Sequence, residues 1–271
     1  MSGPVVTIGP FSLASRYNSR MRNAPPRRTV RVADVATSHS TATSLWPSDG
    51  VVFDRTCTDC PRLAIFLADG RKEYPDYHCA PVAPFGDPKA RLIIVGLAPG
   101  FHGANATGRP FTGDHAGLLL YRTLHRTGFA SRPESLSKHD GLELIDCRIS
   151  NSVKCVPPEN KPTPQEIRTC NRYLAAELQL APPGALLVAL GSVAHSAALR
   201  ALSLKPTLYT FAHGAEHALP TGHTLIDSYH CSRYNTQTRR LTEDMFVKIF
   251  ERARQFIAQP AAQIISKSAA R

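Results

Sequence analysis

Leu92-Ile93-Ile94-Val95-Gly96-Leu97-Ala98-Pro99-Gly100-Phe101-His102-Gly103-Ala104-Asn105-Ala106-Thr107-Gly108-Arg109-Pro110-Phe111-Thr112-Gly113-Asp114 decides how this chain folds. Its four opening apolar residues have the length and β-branching of a strand buried on both faces. Gly96 ends the strand, and Gly100, Gly103, Gly108 and Gly113 punctuate the loop before an apolar helical pattern resumes at Leu118. A strand-to-helix connection ordinarily takes about two to six residues, so one several times longer is either functional or disordered. Phe101, His102, Asn105, Arg109 and Phe111 are not the composition of disorder. A glycine-rich backbone at a strand end lets a ligand approach closely.

Working outward, apolar runs at 144–153, 185–191 and 224–229 read as three further strands. Helical patterns fall between them. One starts at Thr163-Pro164-Gln165-Glu166, an N-cap followed by proline and an acid in the first turn. Others run near 62–67, 118–125 and 193–199, and a long one closes the domain over 241–257. Alternation of this kind predicts a three-layer α/β/α sandwich around a central four-stranded parallel sheet. Ligands of such sheets lie beyond the carboxyl ends of the strands, where the Gly96 loop, Asn151 and His230 all fall.

The chain has 271 residues, a formal net charge of +11 and a pI near 9.6. That balance favours a polyanionic partner, nucleic acid ahead of an anionic membrane surface. No apolar run approaches the roughly 18 residues of a membrane span. Residues 1–50 are rich in Arg, Ser and Thr and read as a basic, disordered tail; an organelle transit peptide is the lesser alternative. Residues 51–258 form the folded domain, and 259–271 a frayed Ser/Ala/Lys tail. Seven cysteines without an evident signal peptide predict a reducing, cytoplasmic setting in which thiols hold metal or fill the core.

Cys57 and Cys60 have metal-ligand spacing, and Cys155 and Cys170 can complete a set of four thiolates. Zinc and an iron–sulfur cluster both accept four thiolates, and spacing does not separate them. Cys79, Cys147 and Cys231 read as core or loop residues.

Four motifs, taken together, resemble the family-5 uracil-DNA glycosylases of the uracil-DNA glycosylase superfamily. They are Gly96-Leu97-Ala98-Pro99-Gly100, then Thr107-Gly108-Arg109-Pro110-Phe111-Thr112-Gly113-Asp114, then Asn151-Ser152-Val153-Lys154-Cys155-Val156-Pro157-Pro158, and finally His230-Cys231-Ser232-Arg233-Tyr234-Asn235-Thr236. The resemblance covers about residues 51–258, in order, with the four cysteines at compatible places. It implies a [4Fe-4S] cluster on Cys57, Cys60, Cys155 and Cys170, with zinc as the alternative. It also implies excision of uracil and other deaminated bases from single- or double-stranded DNA, by a monomer working at the nucleoid.

Cleaving an N-glycosidic bond builds positive charge on the sugar and negative charge on the departing base. The base must first leave the stack. On this resemblance Phe111 is the platform for the flipped base. Asn151 pairs with its Watson–Crick edge through one acceptor and two donors, and His230 donates to the base oxygen as charge develops. Gly96, Ala98 and Gly100 line the pocket, while Arg109, Ser232 and Arg233 contact DNA. Lys154 reads as a solvated charge or a phosphate contact.

Other superfamily members carry an acid or Asn where this chain has Ala98, so another residue must position the catalytic water. Asn105 is the first choice, followed by Asp114 and His102. Gly100 stands where family-5 chains commonly have Ala, leaving room beside the base's C5 edge. Ala106 stands where they commonly have Arg. Two other classes compete: a non-catalytic DNA-binding iron–sulfur or zinc protein, and a small-molecule nucleotide enzyme. The second lacks the Walker A and GxGxxG patterns.

Overall fold

The apolar run at 92–95 is a strand whose five residues, Leu92–Gly96, are all buried. In the computed structural model, which describes residues 53–258, it lies in the interior of the sheet. The expected tails at 1–50 and 259–271 lie outside the described residues.

In chain order come α1 (Pro61–Glu73), a two-residue strand β1 (Phe85–Gly86), β2 (Leu92–Gly96), a short α2 (Ala104–Thr107) and α3 (His115–Arg126). Then follow β3 (Cys147–Asn151), α4 (Pro164–Leu180), β4 (Leu186–Leu190) and α5 (Ser192–Ala201). The chain closes with β5 (Glu216–Ala218), β6 (Thr224–Ser228), α6 (Arg233–Gln237) and α7 (Glu243–Ala258). Among the described residues no helix is long and apolar enough to cross a membrane.

The sheet runs β1-β3-β2-β4-β6-β5. Its four inner strands are parallel, as the apolar runs predict. Each edge carries a short antiparallel strand that the pattern did not foretell, β1 on β3 and β5 on β6. Two and three residues are too few for a periodicity, and such short strands blunt the open edges of a sheet.

Side chains along β2 alternate between two cores. Leu92 and Ile94 pack with Leu120, Leu124, Phe246 and Phe250 of α3 and α7. Ile93 and Val95 pack with Leu174, Leu178, Ala197 and Leu199 of α4 and α5. This is the expected three-layer sandwich.

Helix α4 begins with a full capping box. Thr163 accepts from the Glu166 N–H (3.2 Å), and Glu166 accepts from the Thr163 N–H (2.7 Å). Glu166 also pairs with Arg62 at 2.6 Å, tying α4 to α1.

Lys154 is neither a solvated charge nor a phosphate contact. It is 1% exposed and its Nζ lies 2.6 Å from Glu177 Oε1, with Ser150 Oγ as a second partner. The ammonium therefore joins the segment after β3 to α4. Removing one member of a buried pair strands the other charge, at about 3–5 kcal/mol. Lys154→Met should lower stability by that amount in denaturant unfolding, and Lys154→Met/Glu177→Leu should recover a large part of it. A single-variant cost below about 1 kcal/mol, the level of a surface pair, would contradict this role.

Candidate functional site

From β2 the chain passes to β3 on one side of that strand and later to β4 on its other side. That reversal opens a crevice at the carboxyl end of β2, where open α/β sheets bind ligands. Gly96, the last residue of β2, is in register with Asn151, the last residue of β3. The Ser152 N–H and hydroxyl both donate to the Gly96 carbonyl, at 2.9 and 2.8 Å, and the Val153 N–H donates to Leu97 O at 3.0 Å. The two strand ends are thereby locked together.

The absence of a side chain at position 96 lets two others in. A Cβ on Gly96 would lie 2.3 Å from Asn151 Oδ1 and 2.7 Å from the Phe111 ring. Asn151 is 3% exposed, and its Oδ1 has no hydrogen-bond partner among the described residues. An orphaned buried acceptor costs about 1–3 kcal/mol, which a ligand donor would offset. The Phe111 ring also stacks against His230, with centroids 6.0 Å apart and planes 29° apart. Burial holds the His230 imidazole down at about 4, so it is neutral at physiological pH.

Phe111 reaches this place at a local cost. Its φ is +53°, a left-handed conformation that bulky residues rarely adopt. Such strain persists where its surroundings over-determine it, commonly at functional sites. The Phe111 carbonyl fits only because residue 117 is glycine, where a Cβ would sit 1.8 Å from it. Tyr121 holds the preceding residue by donating to Pro110 O at 2.8 Å.

The first two of the three candidates for holding water face different ways. Asn105, in α2, is fully buried; its amide donates to Cys79 Sγ (3.4 Å) and to Phe101 O (3.3 Å), and its Oδ1 has no partner among the described residues. Asp114 caps α3, accepting the Gly117 N–H at 2.9 Å. Its other oxygen borders the loop: a Cβ on Gly100 would lie 3.3 Å from it, and one on Gly103 2.7 Å. Burial raises the Asp114 pKa against the opposing backbone hydrogen bonds. Burial first, and then this carboxylate, push up the thiol of Cys231, the residue after His230. Asp114 thus stands between the Gly96 loop and the His230 segment. His102 accepts or donates at 3.0 Å with the Tyr77 hydroxyl, within an aromatic group that includes Tyr74 and Phe101.

Arg109, expected against DNA, is an internal strut. It is 3% exposed, pairs with Asp140, donates to Ser135 Oγ (2.6 Å) and Thr112 Oγ1 (3.1 Å), and covers the Phe85 ring. Asp140 is held far below the usual carboxylate range; burial alone would raise it, and Arg109 with three backbone N–H groups reverses that. Ser232 is the N-cap of α6. Arg233 is exposed beside it, and so is Tyr234, at 70%. Tyr234 is a flat apolar group standing in solvent next to the His230 segment. Its signal in the sequence is an aromatic directly after a strand-end His-Cys-Ser-Arg, and residue type alone assigns it no role.

Cys57, Cys60, Cys155 and Cys170 line one cavity with Phe53, Leu63, Val153 and Tyr173. The Lys154 N–H points at Cys170 Sγ (3.2 Å) and Arg172 at Cys57 Sγ (3.7 Å). Donors of this kind suit sulfur carrying negative charge.

The family described as "Uracil DNA glycosylase superfamily" matches residues 83–254. The type-5 uracil-DNA glycosylase of Thermus thermophilus is 47% identical over 204 residues, 73% of this chain and 93% of that protein. The chain belongs to this superfamily and to its type-5 family. The type-5 uracil-DNA glycosylase of Pyrobaculum aerophilum is 39% identical over 212 residues, 77% of this chain and 92% of that protein. A type-4 uracil-DNA glycosylase of Thermotoga maritima is 32% identical over 147 residues, 52% of this chain and 60% of that protein. In this type-5 chain all four motifs meet at one crevice, and the contact at Gly96 joins the first three. Gly96→Ala would force Asn151 and Phe111 apart. Displacements near 1 Å in such constellations cost about 10²-fold. Single-turnover excision should therefore fall about a hundredfold with the circular-dichroism spectrum unchanged; a near-normal rate would refute the packing.

Proposed function

We propose that this chain hydrolyses the N-glycosidic bond of uracil in DNA, with the site residues and cofactor in the following roles. The observation that carries the reading is the orphaned Asn151 Oδ1 facing the Phe111 ring across a position where no side chain can stand. The extruded base stacks on Phe111, and Asn151 accepts its imide N–H and donates to a carbonyl. As the N1–C1′ bond breaks, its electron pair leaves with the base. His230, neutral and stacked beside Phe111, donates to the base oxygen where that charge collects. Water oxygen bonds to C1′ of the cationic sugar and its proton passes to a base, leaving free uracil and an abasic site.

Asp114 is the better holder of that water. Its carboxylate borders Gly100, whereas Asn105, fully buried, spends its NH2 group on Cys79 and Phe101. Asn105 then acts as a brace of the loop. Ala98 and Gly100 supply space, and Arg233, Ser232 and Tyr234 face the DNA. The basic tail at 1–50 adds sequence-independent phosphate affinity. The catalytic unit is 51–258, working as a monomer at the nucleoid of the cytoplasm.

Cys57, Cys60, Cys155 and Cys170 are the residues that would hold a [4Fe-4S] cluster. The four share one largely apolar cavity with N–H donors aimed at their sulfurs, a lining that zinc would accept as well; the resemblance to the family favours the cluster. When bound, the cluster cross-links the segment before α1 to the segment after β3 and to α4.

Excision from a lesion-bearing oligonucleotide panel, read by alkali cleavage of the abasic site, tests the function. Uracil should be removed, and 5-substituted uracils and hypoxanthine too, because Gly100 leaves the C5 edge open. No cleavage would favour a DNA-binding protein without activity, and cleavage of unmodified uracil alone would contradict the open edge. Asp114→Asn should slow single-turnover excision more than Asn105→Ala does; the reverse order returns the water to Asn105. Because the neutral imidazole is the working form, the rate should not bend near the ordinary histidine value of about 6.5. A bend there that vanishes in His230→Gln would contradict this role.

A further inference from the structure

A second cluster of metal-binding side chains lies at the other edge of the sheet. His195 on α5, His217 on β5 and Asp227 on β6 each place one ligand atom within 4.8 Å of the others. Asp227 is fully buried and His195 is 2% exposed. His195 Nδ1 lies 2.8 Å from Asp227 Oδ1, and His217 Nε2 lies 3.0 Å from Asp227 Oδ2. None of these residues belongs to the four motifs or to the cysteine cavity.

The hydrogen atoms decide what this cluster needs. His195 Nε2 lies 3.0 Å from the Tyr209 carbonyl, which can only accept, so Nε2 carries a proton. In the neutral ring the proton is then absent from Nδ1. That lone pair faces a carboxylate oxygen 2.8 Å away, and both side chains are buried. Two acceptors at that distance repel unless a cation lies between them. Either a second proton makes His195 an imidazolium, or a metal ion bonds both atoms.

Two features favour metal. A ligating histidine characteristically donates its other N–H to a backbone carbonyl, which fixes the tautomer, as Tyr209 O does here. A third donor, His217, converges on the same carboxylate although hydrogen bonding of His195 does not require it. We propose that His195, His217 and Asp227 bind one divalent transition-metal ion of the zinc class, with water completing the shell. Two imidazoles and a carboxylate are a donor set zinc accepts. The ion would pin α5 and the β5 edge to β6, the strand that leads into His230.

The test is a cobalt(II) titration of the full chain carrying its native cofactor. Cobalt at a nitrogen and oxygen site gives visible d–d bands without the thiolate-to-metal charge-transfer band that cysteine ligands produce. One equivalent of such a spectrum is expected, displaced by zinc. It should be lost in Asp227→Asn and at least tenfold weaker in His217→Gln. His217 is partly exposed on an edge strand, so His217→Gln decides the matter if Asp227→Asn does not fold. Absence of binding, a thiolate-type spectrum only, or binding unchanged in His217→Gln would overturn the proposal and leave a proton between His195 and Asp227.

Discussion

The site rests on one steric fact at the end of β2. Where any other residue would carry a Cβ, Gly96 admits the Asn151 carboxamide and the edge of the Phe111 ring. Register sets Gly96 opposite Asn151, and the double donation from Ser152 to the Gly96 carbonyl keeps the two strand ends from sliding. Phe111 comes from the far end of a long loop and is held in a left-handed conformation to reach the same point. A hydrogen-bonding group and a flat apolar face then meet at fixed separation before any ligand arrives. Preorganisation of that kind is where enzymes obtain most of their electrostatic advantage.

The charges are arranged around this contact. At the crevice, ionisable groups are kept quiet: burial keeps His230 neutral and raises the Asp114 carboxyl. Away from it, buried charges are paired and serve as struts, Arg109 with Asp140 and Lys154 with Glu177. The Arg109 pair braces the loop that presents Phe111. The Lys154 pair braces the segment between Asn151 and Cys155. Residues that look like DNA contacts in a basic sequence thus hold the walls of the pocket.

The central strands were legible because each is a continuous apolar run, and the capping box at Thr163 because its residue types have one local use. The edge strands β1 and β5 were not, since two or three residues carry no period. For the site, residue type and motif order placed Phe111, Asn151 and His230 at one crevice. Direction was the missing information. Arg109 and Lys154 have the chemistry of phosphate-binding groups, yet each side chain is committed to a partner from a distant segment, Asp140 and Glu177. The His195, His217 and Asp227 group was invisible for the same reason, because only the packing of α5 against the sheet edge brings the three together.

The central claim is that a base sits on Phe111 with its Watson–Crick edge on Asn151. A crystal structure of the chain bound to a uracil-containing oligonucleotide, or to free uracil, tests it most directly. The account predicts the ring parallel to Phe111, within van der Waals contact, its imide N–H donating to Asn151 Oδ1 and one carbonyl within reach of His230. A base seated elsewhere, or an Asn151 Oδ1 still without a partner in the complex, would contradict it.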